Sequence, residues 1–504
     1  AGQQASFLDG EEQRRINAFD WEREFAGVFA SSGGFDVVVG NPPYIRIQAL
    51  KEWAPREVEF YKQRYLSASK GNYDIYVVFV EKGLSLLNSN GRMGYILPHK
   101  FFNAQYGEAL RGILATGKHL AKAVHFGDQQ VFESATTYTC LMFLDKGGNE
   151  EFEFEKVGDL QGWRDNPPGK PSEVSIVGTF ASAQATASEW NFSVGRGAGL
   201  FDRLSKMPVK LGDVASIFVG LQTSADKIYI LGEIDHIDTT LIKLRDKNGD
   251  EWVIEKGILK PFLNDYTVST YEAPISKHWL IFPYEVVANK AILYSASFIE
   301  KTYPHAWVYL RTKSKQLRSR ESGKADNSQW YGYIYPKNLS LFELPKLIVQ
   351  VISKYGRYSH DNSGLYFTGG GNGPYYGVRW NQDNNCHSIH YLQAILNSKL
   401  IDIYLHQISS PFQNGYWSYG KRFIAQLPIR TINFSEPADV ARHGRMVALV
   451  ERMVGLQGEL GAAQTPGEKV RLQRQVEATD GQIDGLVYEL YGLTEEEVRV
   501  VEGR

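Results

Sequence analysis

Asn41-Pro42-Pro43-Tyr44 is where residue types and spacing in this 504-residue chain point most directly to chemistry. The Asn41 side-chain oxygen and the Pro42 backbone carbonyl are two hydrogen-bond acceptors on adjacent residues, and the two prolines fix the φ angles that aim them. An exocyclic amine such as N6 of adenine is a poor nucleophile because its lone pair is delocalised into the ring. Two acceptors, one for each N–H, favour a pyramidal nitrogen and stabilise the charge that develops as it attacks a methyl sulfonium. Tyr44 can stack on the base so held. A base inside a duplex cannot reach such a pocket, so the target must be flipped out of the stack. This chemistry requires no metal. Cys386, His387 and His390 are close in sequence but lack a fourth ligand, and read as polar surface.

The motif needs an element to present it. Phe35-Asp36-Val37-Val38-Val39-Gly40 leads directly into Asn41, and an unalternated β-branched run of that length predicts a strand buried on both faces, as in a parallel sheet. Open α/β sheets bind ligands at the C-terminal ends of such strands. Ahead of it, residues 1–34 read as a helix ending in a Gly-rich turn. Beyond it, helical spacing over Ile75 to Leu87, a strand over Gly91 to Leu97, a helix over about Gln105 to Ala115, and strands near Lys122 to Phe126 and Thr136 to Leu144 continue an α/β alternation. Residues 145 to about 200 lose that rhythm, and GWRDNPPGKPSE reads as loop or linker.

From about Leu204 to Ile429 short strands, aromatic clusters and Gly-rich turns predict a mostly β domain with a few helices, among them SIHYLQAILNSKLIDIYLHQI. Tyr229 and Tyr391 fit core positions. Val440, Met446, Val447, Val450, Met453, Val454 and Leu460 recur at helical spacing. Thr465-Pro466-Gly467-Glu468 and Thr494 with Glu497 are capping boxes, so the tail reads as a helical hairpin plus a short helix. The chain carries no internal repeat.

Composition bounds the answer. The chain is 43% hydrophobic and 22% charged, which suits a soluble globular protein of two or three domains. Two cysteines exclude a disulfide framework or a Cys-rich zinc site. No apolar run reaches eighteen residues and no signal peptide opens the chain, so a cytoplasmic location without a membrane is expected. The aromatic share is 13%, with 29 Tyr and 10 Trp, useful equally for packing and for base stacking. A net charge of −2 gives no overall basic character, which counts mildly against nucleic-acid binding unless a basic groove is local. The first residue is Ala1, so the chain is expected to be part of a longer product.

FDVVVGNPPYI resembles the catalytic motif of gamma-class N6-adenine DNA methyltransferases, and GNYDIYVVFVEKGLSLL with GRMGYILPHKFF is similar to the segments that follow it there. The resemblance implies the C-terminal half of a Rossmann-like methyltransferase sheet, S-adenosylmethionine as cofactor, and Ile75 and Phe79 beside its adenine ring. It implies further that Phe132, in VFESATTYTCLMFL, stacks on the flipped adenine opposite Tyr44. LGDVASIFVGLQTSADKIYIL, KPFL, WLIFPY, LPKLIVQ, AILNSKLIDIYL and LPI resemble the target-recognition domain of type IIG restriction–modification enzymes, and LVYELYGLTEEEV resembles their C-terminal signature. The expected division is a partial catalytic domain with linker at 1–200, a DNA target-recognition domain at 201–430, and a helical segment at 431–504.

The family's glycine loop for the cofactor's methionine end, its acidic residue for the ribose, and the Asp/Glu-x-Lys nuclease region all precede the motif strand, and no Gly-x-Gly follows a strand in the forty residues before Asn41. The expected partners are therefore double-stranded DNA, an N-terminal methyltransferase half and a possible nuclease domain. The chain alone is expected to bind the cofactor weakly or not at all and to be inactive. For DNA contact the candidates are Lys354, Arg357, Arg379, Lys421 and Arg422, interleaved with Tyr358, His360, Trp380, Tyr416, Trp417 and Tyr419. Gly369-Gly370-Gly371 with Gly373 could let backbone approach DNA. Two alternatives stay open: a DNA-specificity protein whose catalytic half no longer acts, and an enzyme of the same motif acting on glutamine or on a guanine amine in RNA.

Overall fold

The computed structural model describes residues 19–133, 137–166, 174–264, 268–288, 290–369, 373–381 and 387–503. The chain forms two compact units, Ala1–Ala198 and Gly199–Arg504. No helix of the described residues is long and apolar enough to cross a membrane.

In the first unit a short helix, α1 (Ala26–Ser32), is stopped by Gly33 in the left-handed region and leads to β1 (Phe35–Gly40). α2 (Tyr76–Leu86), β2 (Leu87–Pro98), α3 (Glu108–Thr116), β3 (Leu120–His125) and β4 (Thr139–Asp145) follow. The sheet order is β1-β2-β4-β3-β5-β6, in which β1 runs parallel to β2 and β4 lies antiparallel between β2 and β3. Its last two strands, β5 (Glu151–Val157) and β6 (Ser175–Ala181), flank the helix α4 (Leu160–Asp165) and lie in the region expected to be linker. The cause is legible afterwards: EFEF alternates, so Phe152 and Phe154 are buried while Glu151 and Glu153 face solvent.

β1 departs from expectation in the other direction. Val37 is 61% and Val39 79% exposed, so the strand is not buried on both faces. It pairs only with β2 among the described residues, and one side of its β-branched run is bare.

The second unit is mixed. Strands β7 (Ala215–Val219), β15 (Lys346–Gln350), β17 (Tyr358–Asp361) and β19 (Tyr375–Trp380) form one sheet in the order β17-β15-β19-β7. A second sheet has the order β10-β9-β8-β12-β11-β18, built from β8 (Ile230–His236), β9 (Leu241–Arg245), β10 (Glu251–Glu255), β11 (Leu259–Leu263), β12 (His278–Ile281) and β18 (Tyr366–Phe367). β13 (Tyr284–Val287) and β14 (Lys290–Leu293) make a hairpin. A small three-stranded sheet joins β16 (Ile352–Ser353), β21 (Tyr416–Ser418) and β20 (Pro411–Phe412). The long apolar stretch at 388–408 is two helices, α5 (Ile389–Asn397) and α6 (Lys399–Ile408). Ser398 separates them because its hydroxyl caps the second, accepting from Ile401 N–H.

The tail follows its capping boxes. Thr465 and Glu468 exchange hydrogen bonds at the start of α8 (Pro466–Tyr491), and Thr494 and Glu497 do so before α9 (Glu495–Val501). α7 (Pro437–Ala462) packs on α8, and Met446, Val450, Met453, Val476 and Ile483 join one core with Leu347, Tyr391 and Leu396. Tyr229 and Tyr391 are wholly buried, as their positions predict.

One candidate glycine is needed inside the protein. A Cβ on Gly369 would lie 2.1 Å from the Gly220 carbonyl oxygen, because the 220–222 and 367–369 segments cross in backbone contact. Leu221 N–H donates to Phe367 O at 3.0 Å and Gly369 N–H to Leu221 O at 2.8 Å. Gly369 thus serves this crossing, while Gly370 and Gly371 lie outside the described residues.

Candidate functional site: a strand-end motif and a basic sheet face

Asn41 follows β1 at the same sheet edge where parallel β2 ends at Pro98. Asn41 is exposed, Pro42 is buried, and Tyr44 is half-buried with its hydroxyl donating to Ile96 O at 3.2 Å. Burial, with Cys140 nearby, pushes the Tyr44 phenol up to about 12, so it is a neutral ring fixed against β2. The chain leaving the motif is held by the segment before α2. Ile75 N–H donates to Ile45 O and Ile47 N–H to Tyr73 O, each at 2.9 Å, around an antiparallel bridge between Arg46 and Asp74. Asp74 carries a carboxyl raised by burial, opposed by Lys100 and Arg46. The two segments singled out in sequence are therefore one structural unit. Ile75 is packed in the core at 5% exposure, whereas Phe79 is 39% exposed on α2. Of the two residues assigned to a cofactor ring, Phe79 is exposed and Ile75 belongs to the core.

Phe132 is half-buried on the loop between β3 and β4. That loop is tied down before it reaches Phe132. Gln129 donates to Val157 O at 2.9 Å and accepts from Leu160 N–H at 2.7 Å, and Arg164 donates to Val131 O at 2.7 Å.

In the second unit the structure separates the cation candidates. Ile352 pairs with Ser418 and Phe412 with Tyr416, so Ile352, Ser418, Tyr416 and Phe412 share one face of the three-stranded sheet. Ile352 is 49%, Phe412 40% and Tyr416 39% exposed. Lys354 lies over the Tyr416 ring at 5.4 Å. Lys421 and Arg422 are exposed on the helical turn Lys421–Ile424, three residues past β21. Residues 351–360 and 409–426 carry Lys354, Arg357, Lys421 and Arg422 and no carboxylate of their own, and Asp402 on α6 reaches them by accepting from Gly356 N–H at 2.6 Å. Arg379 stands apart on β19, with a buried Nε that has no hydrogen-bond partner.

The aromatic candidates divide as well. Tyr358 and Tyr419 are each 1% exposed and Trp380 is buried, so all three are core rather than stacking platforms. Tyr419 donates to Asp402 at 2.5 Å, and Trp417 stacks on His406 at 4.5 Å. Exposed Ile352, Tyr355 and Phe412 were passed over in sequence. The only signal for them is the absence of acidic residues around KYGR and GKRF.

The histidines near the expected non-site are structural. His387 Nε2 accepts from Ile432 N–H at 3.0 Å, and His390 meets His360 at 3.3 Å; Cys386 lies outside the described residues. Burial first, then His390, pushes His360 down to about 4, with Lys346 acting in the same direction and Asp361 against it. A folded-state value below the unfolded one gives stability that is full above about 6.5 and is lost as pH falls towards 4. We expect the second unit to lose stability on the order of 3 kcal/mol at most over that window, less by whatever solvent screens at this partly exposed ring, and His360→Gln to flatten the slope in urea titrations taken at successive pH values.

Residues 3–132 match the family model described as Eco57I restriction-modification methylase, and residues 260–429 match the TaqI-like C-terminal specificity domain. The chain is 29% identical over 473 residues to the type II restriction enzyme and methyltransferase RM.Eco57I of Escherichia coli, covering 91% of this chain and 46% of that protein. It is 24% identical over 481 residues to the type II methyltransferase M.PaeR7I of Pseudomonas aeruginosa, covering 92% of this chain and 72% of the relative. The chain thus spans under half of the first relative's length. Among solved structures, the type IIL restriction-modification enzyme MmeI in complex with DNA aligns with a TM-score of 0.56 at 11% identity, over 92% of this chain and 56% of that one. That likeness is one of fold.

Proposed function

We propose, from the premise that this chain is a homologue of type II restriction–modification methyltransferases, that it methylates N6 of adenine within a specific DNA sequence as part of a type IIG polypeptide. The observation that carries the reading is Asn41-Pro42-Pro43-Tyr44 at the C-terminal end of β1, in a chain that also has a TaqI-like specificity domain. The Asn41 side-chain oxygen and the Pro42 carbonyl accept the two N6–H bonds of a flipped adenine. Tyr44, pinned to Ile96 O, and Phe132 hold its two ring faces. S-adenosylmethionine supplies the methyl group as a sulfonium, and exposed Phe79 meets its adenine ring, with Ile75 in the core at the start of the same helix. The open edge and bare face of β1 support a further sheet segment, carrying the cofactor loop, that completes a Rossmann-like catalytic domain.

On this reading 1–200 is the partial catalytic domain, 201–430 reads the DNA and 431–504 is the helical tail. Lys354, Arg357, Lys421 and Arg422 neutralise phosphates, and Arg379 contributes from β19. Replacing Lys421 and Arg422 together by Ala should weaken duplex retardation and lower the slope of log affinity against log salt by roughly 1–2. An unchanged slope would remove them from the interface. The decisive experiment measures methyl transfer from labelled S-adenosylmethionine to mixed-sequence duplex DNA, with this chain alone and with an N-terminally extended chain, followed by identification of the labelled base. Label at adenine N6 from the extended chain alone supports the reading. An inert extended chain that still retards DNA favours the second reading, a DNA-specificity protein, to which the bare β1 also lends itself.

A further inference from the structure

His99 and His125 lie at the same sheet edge as Asn41, at the ends of β2 and β3, and neither has a part in the reading above. Their rings stand 4.0 Å apart. Both grip one residue. His99 Nε2 bonds the Gly127 carbonyl at 3.1 Å, and Gly127 N–H donates to His125 Nδ1 at 3.1 Å. A carbonyl can only accept, so His99 carries a proton on Nε2; an N–H can only donate, so His125 Nδ1 is bare. Gly127 adopts φ +61, a conformation that reverses the chain as it leaves β3. His99 also holds the far foot of the same loop, since its backbone N–H donates to Tyr138 O at 3.3 Å and the Tyr138 ring lies within 13° of parallel to its own. Phe132 is on the loop between these feet.

We propose that His99 and His125 are positioning residues, a neutral imidazole clamp that fixes both ends of the Phe132 loop at the reaction edge of the sheet. The role of the loop at the target base rests on the function proposed above; the clamp itself does not. Burial favours the uncharged form of both rings. The charged or titratable groups facing His125 are His99 and Lys156, its register partner on β5, and both oppose a second proton. A proton on His125 Nδ1 would set one donor against another at Gly127 and open the clamp.

The test is amide hydrogen exchange of the full chain, read on peptides from residues 126–133. His99→Phe and His125→Phe keep a ring but lose the hydrogen bond, and loop exchange should rise roughly tenfold, the scale of one ordinary hydrogen bond. His99→Gln retains the donor and His125→Asn the acceptor, and both should return exchange near the unsubstituted level while peptides of β2 to β5 stay constant. Equal exchange in the Phe and the conservative variants overturns the clamp. Should the Phe variants fail to fold, ring-15N histidine spectra of the unsubstituted chain decide. They must show His125 protonated on Nε2 alone between pH 6 and 8, and a cation in that range overturns the proposal. None of these readouts needs DNA or cofactor, so their failure is separable from failure of the methyl-transfer reading. Unchanged methyl transfer by an active His99→Phe protein with a loosened loop would break the link to the target base.

Discussion

Asn41→Ala in a cofactor-competent, N-terminally extended chain should lower single-turnover methyl transfer by roughly 10²–10³-fold while leaving duplex retardation unchanged. The size follows from what is removed. The side-chain oxygen meets the amine most strongly once its nitrogen becomes pyramidal and positively charged, so its loss falls on the transition state more than on binding. The Pro42 carbonyl remains and gives a residual rate. On the proposed reading Tyr44 and Phe132 also remain to hold the base, which separates this effect from a binding defect. A decrease under threefold, or one that appears wholly in the DNA concentration dependence, would return Asn41 to the role of a turn residue on an exposed strand end.

The second large effect is on stability. Lys346 and Asp361 are both wholly buried in the second unit, and their side chains form an ion pair of 2.5 Å. Lys346 donates also to Phe342 O, and Asp361 accepts from Ser363 N–H at 2.9 Å, Ser363 Oγ at 2.7 Å and Leu365 N–H at 2.9 Å. Burial lowers the Lys346 pKa and Asp361 opposes that shift. Asp361→Asn leaves an ammonium without its counter-charge in a wholly buried site and should cost about 3–5 kcal/mol. Lys346→Met strands the carboxylate at similar cost. The double variant Lys346→Met/Asp361→Leu should recover part of the loss, because the penalty belongs to the unpaired charge. Urea unfolding followed by tryptophan fluorescence measures all three. A loss under about 1 kcal/mol for Asp361→Asn would mean that water reaches the pair.

What the sequence disclosed was what its local chemistry controls. The strand leading into Asn41 and the hydroxyl–glutamate boxes at Thr465 and Thr494 each lie within a few residues, and all three appear in the fold. Pairings between distant segments were not legible. β16 is two residues long and exists through its bonds to β21, so no periodicity announces Ile352 as a surface residue beside Tyr416. Gly369 read as a place for DNA to approach, but its missing side chain makes room for Gly220. Tyr358 and Tyr419 could not be told from stacking platforms, since an aromatic ring suits a core and a base equally until burial is known. The polar alternation of Glu151 to Val157 hid a strand because the stretch beyond it, rich in Pro and Gly, dominated the reading. Of the candidate site, the Asn41–Tyr44 motif was visible as a sequence, while the hydrogen bond of Tyr44 to Ile96 and the His99–Gly127–His125 contacts were not.

The bare strand β1 also governs how the chain behaves in solution. An unpaired strand edge beside exposed Val37 and Val39, with Trp21 and Phe25 exposed just upstream, is a template for a second chain's strand. Each copy offers one such edge on β1, the other side being paired with β2, so β1-to-β1 pairing uses both edges and closes at two copies. Self-association that grows with protein concentration, and that Val39→Lys suppresses, is therefore the colloidal signature to look for in light scattering.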